Sequence, residues 1–167
     1  MQKQPDSETG TRLRRLVYCK NMNSDSDMAA PALMDKRQVA GLLRANGITP
    51  TAQRVRVGQI LFARDQHLSA DEVLRQLRAE GARVSKATVY NTLNLFSSKG
   101  LLRALNFDAD RGSFDSNTTP HFHFHVENTG ELIDVAPGDI EFARLPPLPP
   151  GTESLGVEVV IRLRRHG

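Results

Sequence analysis

From residue 35 to residue 100 the apolar positions recur at helical spacing, and beyond residue 100 they alternate. Asp35 is placed to cap a first helix bearing Val39, Leu42 and Leu43, which Asn46-Gly47 ends. A second helix begins near Pro50-Thr51 and carries Val57, Ile60 and Leu61. Ser69-Ala-Asp-Glu72 has the form of a capping box, with Val73, Leu74 and Leu77 behind it and Gly81 at its end. Ser85 caps a fourth helix, whose Val89, Leu93 and Phe96 sit at i, i+4 and i+7, and Gly100 closes it. Strand patterns then take over. Residues 101–107 and 112–115 flank a turn-like stretch at 108–111, and 121–126 and 131–135 flank another at 128–130. Residues 138–145 suit a short helix, the prolines at 146, 147, 149 and 150 stop it, and 157–163 form a β-branched strand. The polar residues 1–34 read as a mobile extension in which Met28 and Met34 are alternative starts.

This order predicts an α+β fold. Helices with a following hairpin make a winged helix-turn-helix over 35–117, and a small α/β domain follows over 118–167. The 167 residues allow one ordinary domain or two small ones. An apolar share of 39% and a charged share of 25% are ordinary for a soluble protein. The net charge of +3 permits nucleic-acid binding without demonstrating it. A single cysteine, Cys19, excludes an intrachain disulfide and a CxxC zinc site, and it suits a reducing compartment. No apolar run is long enough for a membrane span, and the basic start lacks the apolar stretch of a signal peptide. A cytoplasmic protein is therefore expected.

Chemistry concentrates in two places. The helix opened by Ser85 spends its apolar stripe on Val89, Leu93 and Phe96. Its other face offers Lys86, Thr88, Tyr90, Asn91 and Asn94, groups that bond phosphates and base edges. Arg54 and Arg56 add cations on the second helix. The strand His121-Phe-His-Phe-His125 puts three imidazoles on one side and Phe122 and Phe124 on the other, the phenylalanines expected toward a core. Side chains two apart on a strand lie roughly 7 Å apart, so two imidazoles can converge on one ion. Asp115 closes the wing and Asp134 ends the next strand, which adds carboxylates to the histidine row.

The stretch Ser85-Lys-Ala-Thr-Val-Tyr-Asn-Thr-Leu93 resembles the recognition helix of the ferric uptake regulator (Fur) superfamily of metal-dependent repressors. Ile48-Thr-Pro-Thr-Ala-Gln-Arg-Val55 resembles that family's second helix. The likeness continues through His67-Leu-Ser-Ala-Asp-Glu72, the wing and the histidine strand, over roughly residues 36 to 165. It implies a dimeric repressor that binds double-stranded operator DNA, with a tetramer as the other assembly. Tyr90 is implied as the base-contacting residue and Arg54 as a residue of the DNA face, where Arg56, Ser85, Lys86, Thr88 and Asn91 are the further candidates that the residues themselves offer. A regulatory metal site is implied on His67, Asp115, His121, His123 and Asp134. Three histidines and two aspartates without thiolate suit Fe(II) or Mn(II) and also accept Zn(II).

Departures from the family pattern narrow the expectation. Val126-Glu-Asn-Thr129 stands where many relatives carry CxxC, so no structural zinc is expected. A second family site falls on Pro120, Phe122, Glu141 and about Val157, of which only Glu141 can ligate. These losses resemble the Irr branch of iron-response regulators. So do Asp115-Ser-Asn-Thr-Thr, Ile133-Asp-Val135, the proline-rich turn and Val159-Val-Ile-Arg-Leu-Arg164. That branch responds to iron, often through haem, which makes His125 a further candidate for haem or an additional metal. The Cys-Pro haem motif is missing, since Lys20 follows Cys19. Peroxide-sensing members also use an aspartate where Asp134 stands, which makes a peroxide sensor the alternative. A metal-dependent hydrolase is the alternative of another class. It lacks support, because no HExxH motif, nucleophile arrangement or phosphate-binding glycine loop is present.

Overall fold

A computed structural model describes residues 34–107 and 112–166, all within one compact unit. Cys19, Met28, most of the expected N-terminal extension and the 108–111 turn lie outside the described residues.

Helices form where capping and periodicity call for them. Helix α1 spans Lys36–Ala45, α2 Ala52–Leu61, α3 Ala70–Ala79 and α4 Lys86–Ser98. Asp35 accepts the Gln38 backbone N–H, and the Gln38 side chain accepts that of Asp35, each at 2.8 Å. Ser69 and Glu72 make the same reciprocal pair at the start of α3, and Ser85 accepts the Thr88 N–H at the start of α4. Their apolar stripes meet in one core. Val39, Leu43, Val57, Leu61, Val73, Leu77, Val89, Leu93 and Phe96 are all fully buried there. Gly58 lets α2 approach α1 closely, because a Cβ at that position would lie 2.6 Å from a Val39 methyl. Replacing Gly58 by Ala is expected to cost about 1–3 kcal/mol through overpacking, read as a lower urea midpoint with an unchanged m-value.

The wing is a three-stranded sheet in the order β1-β3-β2, with β1 at His67–Ser69, β2 at Arg103–Leu105 and β3 at Ser113–Asp115. The sequence pattern predicts only β2 and β3. Strand β1 is three residues long, too short for alternation to register, and it exists because β3 pairs with it. The rear sheet has the order β5-β4-β6, with β4 at Phe122–Val126, β5 at Glu131–Val135 and β6 at Val160–Leu163. Strands β4 and β5 are antiparallel, and β6 runs parallel to β4.

Two expectations need correcting. The helix expected over 138–145 reduces to a 3-10 turn at Pro137–Asp139, after which Ile140 is already extended. Phe142 and Leu145 stay exposed there, so no buried face supports a helix that short. The reading that sent both phenylalanines of β4 into a core holds for Phe122 and fails for Phe124, because the histidine side is buried as well. His121, His123 and His125 are all buried, Phe122 is buried beside Phe142, and Phe124 is only half-buried. Phe107 and the wing strand bearing His67 lie against the histidine side and make it the inner face.

Candidate metal centre

Cross-strand register assembles the centre. In the wing His67 lies opposite Asp115, and in the rear sheet His123 lies opposite Asp134. Two pairs far apart in sequence are thereby set facing each other. One ligand atom from each of His67, His121, His123 and Asp134 falls within 4.8 Å of all the others. Asp115 completes the set from the fully buried side, its Oδ2 at 2.9 Å from His121 Nε2 and 3.6 Å from His123 Nε2. Its Oδ1 lies 3.7 Å from His67 Nε2. All five residues expected at the site are therefore brought together. His125 is not among them. Among the described residues its buried Nδ1 has no hydrogen-bond partner, and it borders a cleft with Ser69, Ser113 and Phe107.

The polar atoms of this cluster are turned toward a common point. His121 Nδ1 lies 2.8 Å from the Thr119 carbonyl, so Nδ1 carries the proton and donates it there. The free lone pair is then on Nε2. That atom faces Asp115 Oδ2 at 2.9 Å and His123 Nε2 at 3.0 Å. With a proton on His123 Nε2 the 3.0 Å contact is a hydrogen bond, and with both Nε2 atoms deprotonated the facing lone pairs suit a shared cation. Among the described residues, buried His67 Nε2 and Asp115 Oδ2 have no properly oriented hydrogen bond, although His67 Nε2 is 3.0 Å from Asp134 Oδ1. Short distances with unmade bonds are what a ligand shell shows before its ion is counted. The residues present therefore fit a divalent metal.

Burial lowers the pKa of His67 below its ordinary value of 6.5, against the opposing pull of Asp115 and Asp134. The ring stays neutral at neutral pH, which is the ligating form. The unfolded chain binds that proton more tightly. Stability from His67 is thus complete above about pH 6.5 and is lost as pH falls through the lowered value.

Sequence reasoning missed three supports. Asn117 donates its side-chain N–H to Asp134 Oδ2 at 3.2 Å, and its backbone N–H to Asp115 Oδ1 at 2.8 Å. It therefore orients both carboxylates. Thr119 sets the His121 tautomer. Ser116 ties the end of β3 to Gln66, with the Gln66 N–H donating to its hydroxyl at 3.0 Å. A short polar run between two candidate ligands, Ser-Asn-Thr-Thr, is the only sequence signal for them.

The candidate DNA face is carried by α4. Lys86, Tyr90 and Asn91 are exposed, and Tyr90 keeps 41% of its surface accessible. Thr88 is half-buried and bonds Ser85 in the helix cap, so both are partly spent on starting the helix. Arg54 and Arg56 are half-buried, and Arg54 donates to the Thr49 carbonyl at 2.9 Å.

A winged helix joined to a sheet-borne His/Asp cluster is the architecture of metalloregulators. The sequence profile of the Ferric uptake regulator family matches residues 45–144, and the chain belongs to that family. Among characterised relatives, the peroxide-responsive repressor PerR of Staphylococcus saprophyticus is 34% identical over 92 residues. These are 55% of this chain and 62% of that protein. PerR of Staphylococcus aureus matches equally, at 34% over 92 residues with the same coverage. The chain thus spans about three fifths of the length of these relatives. The ferric uptake regulator of Pseudomonas aeruginosa, solved with manganese, superposes with a TM-score of 0.61 at 28% identity, covering 80% of this chain and 100% of that one. The Francisella tularensis regulator, solved with iron, shares the fold with a TM-score of 0.60 at 24% identity, covering 71% of this chain and 92% of that one. Among the described residues no helix is long and apolar enough to cross a membrane.

Proposed function

We propose that this protein is a metal-responsive, DNA-binding transcriptional repressor that acts as a homodimer and not as an enzyme. One observation carries the reading. Among the described residues one cluster, with His121 and His123 buried, His67 half-buried and Asp134 exposed, draws His67 from the winged-helix half and His121, His123 and Asp134 from β4, its leading residue and β5. Residues 35–117 are read as the DNA-binding part and 118–167 as the dimerising and sensing part. An Fe(II) or Mn(II) ion held by these four residues and Asp115 supplies positive charge that links the two halves. The chain's own residues convert that link into orientation. His67 precedes the Ser69 cap of α3 by two residues, and α3 packs on α4. Holding His67 against β4 therefore fixes the angle of Tyr90 relative to the rear sheet. Such a constraint selects, from the conformers available, the one that suits an operator.

A second copy has a place to bind. On the face of the rear sheet away from the histidines, Ile133, Phe124 and Ile161 stand in register across β5, β4 and β6. Ile133 and Ile161 are exposed, and among the described residues β6 is an edge of its sheet. Burying that row against its symmetry mate covers both liabilities.

The signal is read as iron status, on the Irr-like departures described above, with haem as one form it takes. A second reading, peroxide sensing, is favoured by the PerR names of the relatives. The test is operator binding by protein prepared without oxygen, using a duplex enriched from a random pool, with and without Mn(II). Binding is expected to need metal, and log K to fall linearly with log salt. Tyr90→Ala is expected to cost about 1–3 kcal/mol of discrimination and to leave the salt slope unchanged. A flat salt response with no sequence preference would overturn the repressor reading. Peroxide added to the Fe(II) form separates the two signals by peptide mass. One added oxygen on His67 or His121 supports peroxide sensing, and unaltered peptides support iron status.

A further inference from the structure

We infer that Asp71 restrains Lys86 at the entry of the recognition helix, lowering overall DNA affinity without changing which sequence is preferred. The inference rests on the DNA-binding reading above. Lys86 is the first residue of α4, and Asp71 is the second of α3. The Lys86 ammonium lies 2.8 Å from one oxygen of Asp71 and donates to the other at 3.1 Å. That bond raises the Lys86 pKa. The ammonium also sits 5.7 Å from the centroid of the Tyr90 ring. A cation placed beside the base reader is thus already occupied by a carboxylate from another helix.

Helix α3 does not need this carboxylate for its cap. Ser69 and Glu72 already complete the reciprocal box. Asp71 keeps 65% of its side chain exposed, so its charge stands at the surface that Lys86 would present to DNA. A phosphate approaching Lys86 must either displace Asp71 or accept a carboxylate next to it. Either outcome weakens a backbone contact, and backbone contacts carry no sequence information. Exposed ion pairs are weak, so the restraint attenuates binding and does not block it.

Asp71→Asn in the full, metal-loaded chain tests this. The probes are the enriched duplex and a scrambled duplex of equal length, read by fluorescence anisotropy over a salt series. Both affinities are expected to rise about three- to tenfold at low salt. The salt slope is expected to steepen by about 0.9 for each chain bound. The ratio between the two duplexes should stay constant. In a Lys86→Met background the same substitution should tighten binding clearly less, because only the direct repulsion between the Asp71 carboxylate and phosphate is then removed. Asp71→Ser repeats the test with a residue that helix starts favour, and circular dichroism checks the fold of each variant. Unchanged affinity, a changed ratio, or equal tightening in the Lys86→Met background would each overturn the inference while leaving DNA binding in place. Failure of the wild-type protein to bind DNA in a salt-dependent way removes the function reading and this inference together.

Discussion

His123→Ala is expected to weaken metal binding by about 100-fold or more and to abolish metal-dependent operator binding. Removing a group that only orients a ligand typically costs 10–100-fold, and losing a ligand exceeds that. His123 stands at the middle of the cluster. Its Nε2 is 3.0 Å from that of His121, its ring centroid is 5.1 Å from that of His67, and Phe107 covers it at 5.4 Å. Only 2% of its surface is exposed, so in the folded chain the ring and not solvent fills this position. The fold should survive, because β4 keeps its backbone pairing to β5 and β6, and His123 lies outside the apolar core cluster. Equilibrium dialysis with Mn(II) measures the first effect, and operator binding measures the second. His125→Ala is the control and is expected to hold near wild-type metal affinity, since His125 stands outside the cluster. Wild-type Mn(II) affinity in folded His123→Ala would remove the metal-centre reading.

Phe96→Ala is expected to cost about 3–5 kcal/mol, the usual range for deleting a fully buried aromatic ring. Small domains hold only about 5–15 kcal/mol in total, so the variant should be partly unfolded at 37 °C. Phe96 is completely buried in the apolar cluster and stacks on Phe62 with centroids 5.7 Å apart. The ring holds α4 against α2, so its loss leaves a cavity beneath the helix that carries Tyr90. DNA binding should fail here with or without metal, unlike in His123→Ala, and thermal unfolding should separate the two. Phe96→Leu fills much of the cavity and should recover most of the loss. A melting temperature for Phe96→Ala within a few degrees of wild type would contradict the packing described.

The helices were legible because their signals are local. Asp35, Ser69 and Ser85 bond backbone groups within three residues, and Val89, Leu93 and Phe96 share a face through helical geometry alone. The order of motifs also carried the family, which the matching profile bears out. Strand β1 escaped notice because three residues hold no readable period, and only pairing with β3 makes them a strand. The helix expected over 138–145 failed for the converse reason, since its local pattern found no surface to bury against.

The centre divides the same way. Alternation alone put His121, His123 and His125 on one side of β4, and nothing in the chain is needed beyond the two-residue period of a strand. Which side faces inward was decided by Phe107 and the wing lying against it. The exclusion of His125 likewise came from where the opposing carboxylates fall, since the register sets Asp134 across from His123 and Leu132 across from His125. Residue types and their spacing are written in the chain. Convergence of His67, Asp115 and Asp134 on two histidines depends on how two sheets meet, and that contact joins residues too far apart in sequence for any local pattern to record.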